Sequence, residues 1–306
     1  MHEKLLLIDT FNFLHRAYHA LPNTFRDSNG ESVNAVYGIT SMLISLFETV
    51  KPNYVVAALD GQAPTFRVEN FTSYKAHRKE LDEDLATQIP KVFEILNAFG
   101  IKKIVVEGYE ADDVIGTLAK RFSSKDLDVL ISSNDRDLWQ LLGKNVMVIL
   151  PAKGGQVEWV GEEEAKARLS FDPKLITEYK ALAGDASDNI PGVFGVGEKT
   201  AKRLILEYDT VEEIYKNISS IKPNSLKEKL AENAEMAVMS RNLATIETNV
   251  PITLELSECK YKEFNKGAVV EVLKKYNFKS LTRRLGFGDK KEAKKQETPD
   301  NQIPLL

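Results

Sequence analysis

Residues 103–131 read KIVVEGYEADDVIGTLAKRFSSKDLDVLI. Residues 103–106 and 128–131 are short runs rich in Val and Ile, as buried strands are. Between them, residues 111–122 carry apolar side chains at helical spacing and open on acidic residues, which suit the positive end of a helix dipole. A strand, a crossover helix and a second strand form the repeating unit of a mostly parallel sheet. The alternation extends both ways: residues 5–8, 54–59 and 146–150 read as further strands, and 33–50, 88–99 and 136–142 as helices. Residues 1–172 are therefore expected to form an α/β domain.

From Asp172-Pro173 onward the pattern changes. Helical segments follow one another at 174–182, 198–207, 211–216, 225–233 and 266–275, with one weak strand signal at 252–256 after Pro251. A helical second domain over 173–289 is expected, and 290–306, polar and charged with few apolar anchors, reads as a flexible tail or linker.

Composition narrows the class. Of 306 residues, 43% are hydrophobic and 28% charged, the mix of an ordinary globular chain. One cysteine, Cys259, allows no intramolecular disulfide and disfavours a cysteine-based zinc site. No apolar run approaches the roughly 18 residues of a membrane span, and the N-terminal run stops at Asp9, too early for a signal peptide. A cytoplasmic protein is expected. The net charge of −4 argues weakly against a nucleic-acid partner, unless clustered aspartates are neutralised by metal.

Those aspartates fall at telling places. Asp9 ends the first strand and Asp60 the second. Glu110, Asp112 and Asp113 follow the third, Asp135 and Asp137 follow the fourth, and Asp185 and Asp188 lie at the domain junction. In an open α/β sheet, the crevice beyond the strand carboxyl ends is where ligands bind. Taken singly, these acids could serve helix dipoles or turns. Together, nine carboxylates at one edge repel one another unless a cation compensates. Oxygen-only ligands suit a hard divalent ion, and histidines (2, 15, 19 and 77) are distant from the clusters, so Mg2+ or Mn2+ is preferred to zinc. A site holding two such ions suits phosphodiester hydrolysis.

Two basic elements accompany the acids. Lys75 and Arg78 lie three apart, on one helical face if that segment is helical. Pro191–Arg203, reading PGVFGVGEKTAKR, fails the P-loop spacing. It suits two helices joined by a Gly-x-Gly hairpin whose backbone amides grip a phosphate, aided by Lys199, Lys202 and Arg203.

The segments LLID at 6–9, ALDGQAPTFR at 58–67, GYEADD at 108–113, NDRDL at 134–138 and GDASDNIPGVFGVGEKTA at 184–201 together resemble the 5′-nuclease family. That family comprises the N-terminal 5′→3′ exonuclease domain of bacterial DNA polymerase I and the flap endonucleases. The resemblance spans residues 5 to about 288. It implies a PIN-like α/β nuclease core with a helical arch at about 64–95, followed by a helix-three-turn-helix domain that holds duplex. It further implies that Asp9, Asp60, Glu110, Asp112 and Asp113 build or support a first metal site and Asp135, Asp137, Asp185 and Asp188 a second, with Asp112 between them. Lys75 and Arg78 match the basic pair at the base of the arch, with a catalytic role on the scissile phosphate. DNA contacts are implied for these two and for His15, Arg16, Arg67, Gly195, Gly197, Lys199, Thr200 and Lys202, with a monovalent cation such as K+ at the Gly195–Gly197 hairpin. The family's usual stacking tyrosine is replaced by His15, and its usual prolines after Arg78 by Lys79-Glu80-Leu81.

The expected function is a divalent-metal-dependent 5′→3′ exonuclease and 5′-flap endonuclease in replication and repair. Its substrate is DNA with a 5′ flap, nick or 5′ end, including RNA-primed ends. It is expected to act as a monomer away from membranes, with a DNA polymerase as separate or fused partner. A PIN-type ribonuclease and a non-catalytic branched-DNA-binding module are the alternatives.

Overall fold

The computed structural model describes residues 2–78, 81–151, 156–262 and 264–287. The tail expected at 290–306 and the Lys79-Glu80 departure lie outside the described residues. Among these, six strands form one sheet: β1 (Glu3–Asp9), β2 (Tyr54–Ala58), β3 (Lys102–Ile104), β4 (Leu127–Ser132), β5 (Val146–Pro151) and β6 (Val157–Val160). Their order is β3-β2-β1-β4-β5-β6. The first five pair in parallel, and β6 adds antiparallel to β5 at one edge.

The helices are α1 (Thr10–Ala20), α2 (Asn34–Val50), α3 (Phe66–Asn70), α4 (Glu83–Ala98), α5 (Ala111–Phe122) and α6 (Glu162–Leu169) in the sheet-bearing half. They continue as α7 (Ile176–Ala183), α8 (Glu198–Tyr208), α9 (Val211–Lys216), α10 (Asn224–Glu232), α11 (Ala234–Ala244), α12 (Lys266–Lys275) and α13 (Lys279–Arg284).

Strand alternation sorts the core into two layers. Leu5 and Leu7 of β1 face α5 through Val114, Ile115 and Leu118, in a cluster that runs on into the helical half through Ala201, Leu204 and Ile214. Leu6 and Ile8 face the opposite layer, with Phe13 and Leu14 of α1, Val36 and Leu43 of α2 and Val92 of α4. That second layer also contains Val269 and Leu273 of α12 and Leu281 of α13. The chain thus returns from the helical half to complete the core of the first, although its sequence pattern divides once, at Asp172-Pro173.

Several elements differ from the sequence reading. The segment expected to be a helix at 136–142 is a 3-10 helix, Asp137–Leu141, because Asp137 N–H bonds back to the Asp135 carboxylate at 2.8 Å. The weak strand signal at 252–256 leads into a 3-10 helix at Leu256–Cys259, and Tyr261 N–H reaches Asn53 C=O at 2.7 Å beside β2. The third strand is shorter and earlier than expected, with Val105 outside it and 47% exposed.

Candidate active site

From β1 the chain steps outward to β2 and β3, then returns to place β4 on the other side of β1. The switch point therefore lies between β1 and β4, where their carboxyl ends open a crevice. Asp9 ends β1 and caps α1, accepting a bond from Asn12 N–H at 3.2 Å. Ser133, just past β4, donates its hydroxyl to the other Asp9 oxygen at 2.7 Å. Asp135 follows, its N–H on the same Ser133 hydroxyl at 3.0 Å.

From β2, Asp60 accepts Ala111 N–H at 2.8 Å and so meets the first turn of α5. That turn carries Glu110, Asp112 and Asp113. Burial, with the neighbouring Asp60 and Asp135 charges, pushes Asp9 up to about 7. Asp112 is raised well above the carboxylate range by burial and by Asp9 and Asp135. Such shifts arise where like charges share a poorly solvated space, and they mark functional sites.

The loop between α7 and α8 brings the last acids. Asp185 and Ile190 exchange two backbone hydrogen bonds, each 2.8 Å, which closes a tight loop around Asp188. Ligand atoms of Asp137, Asp185 and Asp188 all lie within 4.8 Å of one another, the spacing of a metal-ligand set. Asp137 is pushed to about 6, by burial first and by Asp135 and Asp185.

Lys75 and Arg78 both reach this edge, but not from a helix. Residues 72–77 are turns, Lys75 has φ 54°, and its N–H bonds to Asp188 C=O at 2.9 Å instead of continuing a helical ladder. Lys75 Nζ lies 2.9 Å from Glu110 and 3.8 Å from Asp188, while Arg78 pairs with Asp188. The buried Tyr74 hydroxyl donates to Glu110 at 3.2 Å.

One assignment needs correction, and a second is narrowed. Arg67 was expected on DNA; its side chain is 3% exposed and grips both Asp113 oxygens at 2.7 Å. Its other donors serve the carbonyls of Leu243 and Thr245 at 2.9 and 2.7 Å, so its bonding capacity faces inward. Asp113 was expected to build or support the first metal site. It is fully buried, and besides Arg67 it accepts the Glu110 and Glu247 N–H groups, so it holds the turn that carries Glu110, the supporting half of that expectation.

The remaining basic residues lie on two elements. His15 is exposed on α1, its imidazole held below the usual value by partial burial and by His19 and Arg78. Arg16 reaches Asn134 and the Pro151 carbonyl. Gly197 caps α8, and Gly195 before it has φ 73°. Lys199 is exposed on the first turn of α8, with Thr200 and Lys202 half-buried beside it. Two cations escaped the sequence reading. Lys229 of α10 lies 3.4 Å from the Gly195 carbonyl. Lys180 of α7 pairs with both Asp137 and Asp185. Spacing carries no signal for either, because each meets its partner through tertiary packing.

A resolvase-like α/β layer with an acidic crevice at its switch point, followed by a SAM-like helical bundle, defines a nuclease of the metal-ligating kind. Family models agree on both halves: the 5′-3′ exonuclease N-terminal resolvase-like domain matches residues 4–170, and the 5′-3′ exonuclease C-terminal SAM fold matches 171–267. The chain belongs to the 5′-3′ exonuclease family. It is 42% identical over 289 residues to DNA polymerase I of Caldicellulosiruptor bescii, and 39% identical over 305 residues to that of Bacillus subtilis. These alignments cover 94% and 99% of this chain and 34% of each relative, so the chain spans about a third of their length. The fold matches that of the 5′-exonuclease of bacteriophage T5, with a TM-score of 0.65, 21% identity and coverage of 91% of this chain and 98% of that one. The catalytic core of Rad2 in complex with DNA substrate gives 0.62, 17% identity and 93% coverage of each. Among the described residues, no helix is long and apolar enough to cross a membrane.

Proposed function

We propose that the chain is a divalent-metal-dependent 5′→3′ exonuclease and 5′-flap endonuclease acting on DNA flaps, nicks and 5′ ends in replication and repair. The observation that carries this reading is the set of carboxylates delivered to one crevice from β1, β2, α5, the β4 loop and the α7–α8 loop, with Asp9 pushed to about 7 and Asp137 to about 6. Hard oxygen donors in this number fit Mg2+ or Mn2+. We assign Asp9, Asp60, Glu110 and Asp112, with Asp113 behind them, to one position and Asp137, Asp185 and Asp188 to a second; Asp135, grouped with the second set on sequence, is assigned to the first because its N–H meets the Ser133 hydroxyl that also bonds Asp9. Two ions bound there would supply charge neutralisation at the scissile phosphate and a water acidic enough to attack at neutral pH.

The protein's own groups do the remainder. Lys75 and Arg78, held over the crevice by Glu110 and Asp188, are placed to take a phosphate in exchange for those carboxylates. The Gly195–Gly197 hairpin, the N-terminus of α8 and Lys199 grip duplex phosphate away from the chemistry, with the Gly195 carbonyl suited to a monovalent cation such as K+. His15 and Arg16, on the helix that starts at Asp9, border the path of an unpaired 5′ strand. The DNA polymerase I relatives suggest a polymerase as fused or separate partner.

The test is a labelled 5′-flap duplex with Mg2+, Mn2+ or chelator, for wild type and Asp112→Asn. Cleavage is expected with either metal, with none in chelator, and at least about a 10²-fold loss in the variant while flap binding is retained, because affinity rests on cations elsewhere. Turnover by Asp112→Asn at the wild-type rate, or cleavage in chelator, overturns the reading.

A further inference from the structure

Lys180 sits on α7 one turn before the loop that carries Asp185 and Asp188, with its side chain 14% exposed. Its ammonium pairs at once with Asp137, from the far side of the sheet edge, and with Asp185. Those are two of the three carboxylates whose ligand atoms cluster within 4.8 Å; the third, Asp188, is taken by Arg78. Lys180 is therefore bound by the same oxygens that a divalent ion would need.

We propose that Lys180 is a resident competitor for the second ion position, an internal cation that a divalent ion must displace from Asp137 and Asp185. The inference rests on the reading of the Asp137–Asp185–Asp188 trio as a metal site. Electrostatics gives the exchange its direction. With Lys180 and Arg78 in place, and Lys75 3.8 Å from Asp188, every carboxylate of the trio faces a cation, so the trio holds together without an ion at a cost to ion affinity. An ion entering between Asp137 and Asp185 takes the oxygens from the ammonium, since two cations on one oxygen pair repel. The displaced ammonium stays tethered to α7 within side-chain reach of the site, where it gains a new anionic partner only when a phosphate arrives. Lys180 thereby keeps the second position weak until substrate is present. It acts through the ligands and is a positioning residue.

The test is a Mn2+ titration of the full chain without DNA, reading free Mn2+ by electron paramagnetic resonance. Wild type is compared with Lys180→Met, Lys180→Gln and Lys180→Arg, and with Asp185→Asn as the control on the site itself. Removing the ammonium is expected to tighten the weaker class of Mn2+ sites by about ten-fold or more, the scale of one charged hydrogen bond. Lys180→Arg should restore the weak binding. In chelator, Lys180→Met should melt below wild type, because two acids lose their cation, and Mn2+ should raise its melting temperature by more than it raises that of wild type. Lys180→Gln, which keeps a hydrogen-bond donor, stands in if the methionine variant does not fold. Unchanged or weaker Mn2+ binding in both variants overturns the proposal. If Asp185→Asn leaves the isotherm unaltered, the trio binds no ion and the metal-site reading itself falls, an outcome separate from a failure of Lys180 alone.

Discussion

At the scale of the residue, Arg67 and Lys180 show what a sequence can hide. Arg67 lies in a motif that resembles a DNA-handling segment, yet its partners are Asp113, 46 positions on, and the carbonyls of Leu243 and Thr245, 176 and 178 positions on. A buried arginine and a surface one look alike in one dimension. Most of the acids were legible because they follow strand ends, where topology alone predicts convergence, while Asp185 and Asp188 stood out only as an acidic turn at the domain junction. Their strain has a measurable sign. Asp9 and Asp137 titrate near 7 and 6 when folded, against an ordinary carboxylate value of about 3.9 when unfolded. The folded state therefore binds more protons between about pH 4 and 7, and stability falls as pH rises through that window. In chelator, the melting temperature should drop between about pH 4 and 7, and saturating divalent cation should remove the drop. A flat chelator profile would show that these carboxyls are not strained.

At the scale of the element, periodicity located the parallel strands and most long helices, because buried runs and amphipathic stripes are local patterns. It did not find β6, α1, α3, α6, α11 or α13, and it made a helix of the 3-10 segment after Asp135. The loop between α7 and α8 was legible as an acidic turn, but its rigidity was not. Gly184 and Gly192 have φ 72° and 65° and press against each other: a Cβ on Gly192 would lie 2.3 Å from the Gly184 nitrogen. That contact is backbone on backbone, so nothing can swing away. Gly192→Ala should cost about 2 kcal/mol or more, from the strained φ and the clash together. It should also spread the carboxylates that the loop holds. Chemical denaturation measures the first effect and Mn2+ titration the second. Wild-type behaviour in both would mean that the loop yields.

At the scale of the whole molecule, the sheet-bearing and helical halves share a core instead of meeting at a hinge. The cluster under α5 runs continuously from Leu5 through Val129 to Leu204 and Leu230. Arg67 adds a polar clasp, tying α3 and α5 to the end of α11. The family matches stop at residue 267, but the apolar packing goes on: Leu273, Tyr276, Phe278 and Leu281 are all at most 3% exposed and lie in the layer that covers Leu6 and Ile8. A chain cut after residue 265 should lose that cover, and limited proteolysis should then cleave within α1, α2 and α4 far faster than in the intact chain. Equal protection would show that α12 and α13 are accessory.

The same return of α12 and α13 has a meaning during synthesis. The first strand is translated as residues 3–9, but the helices that complete one of its two faces are made only after residue 265. The apolar side chains of Leu6 and Ile8 must wait until α12 and α13 have been translated before their layer closes. While it is being made, this stretch of chain therefore carries an unfinished apolar surface until α12 and α13 are added, so the layer over Leu6 and Ile8 closes well after the strand that starts it.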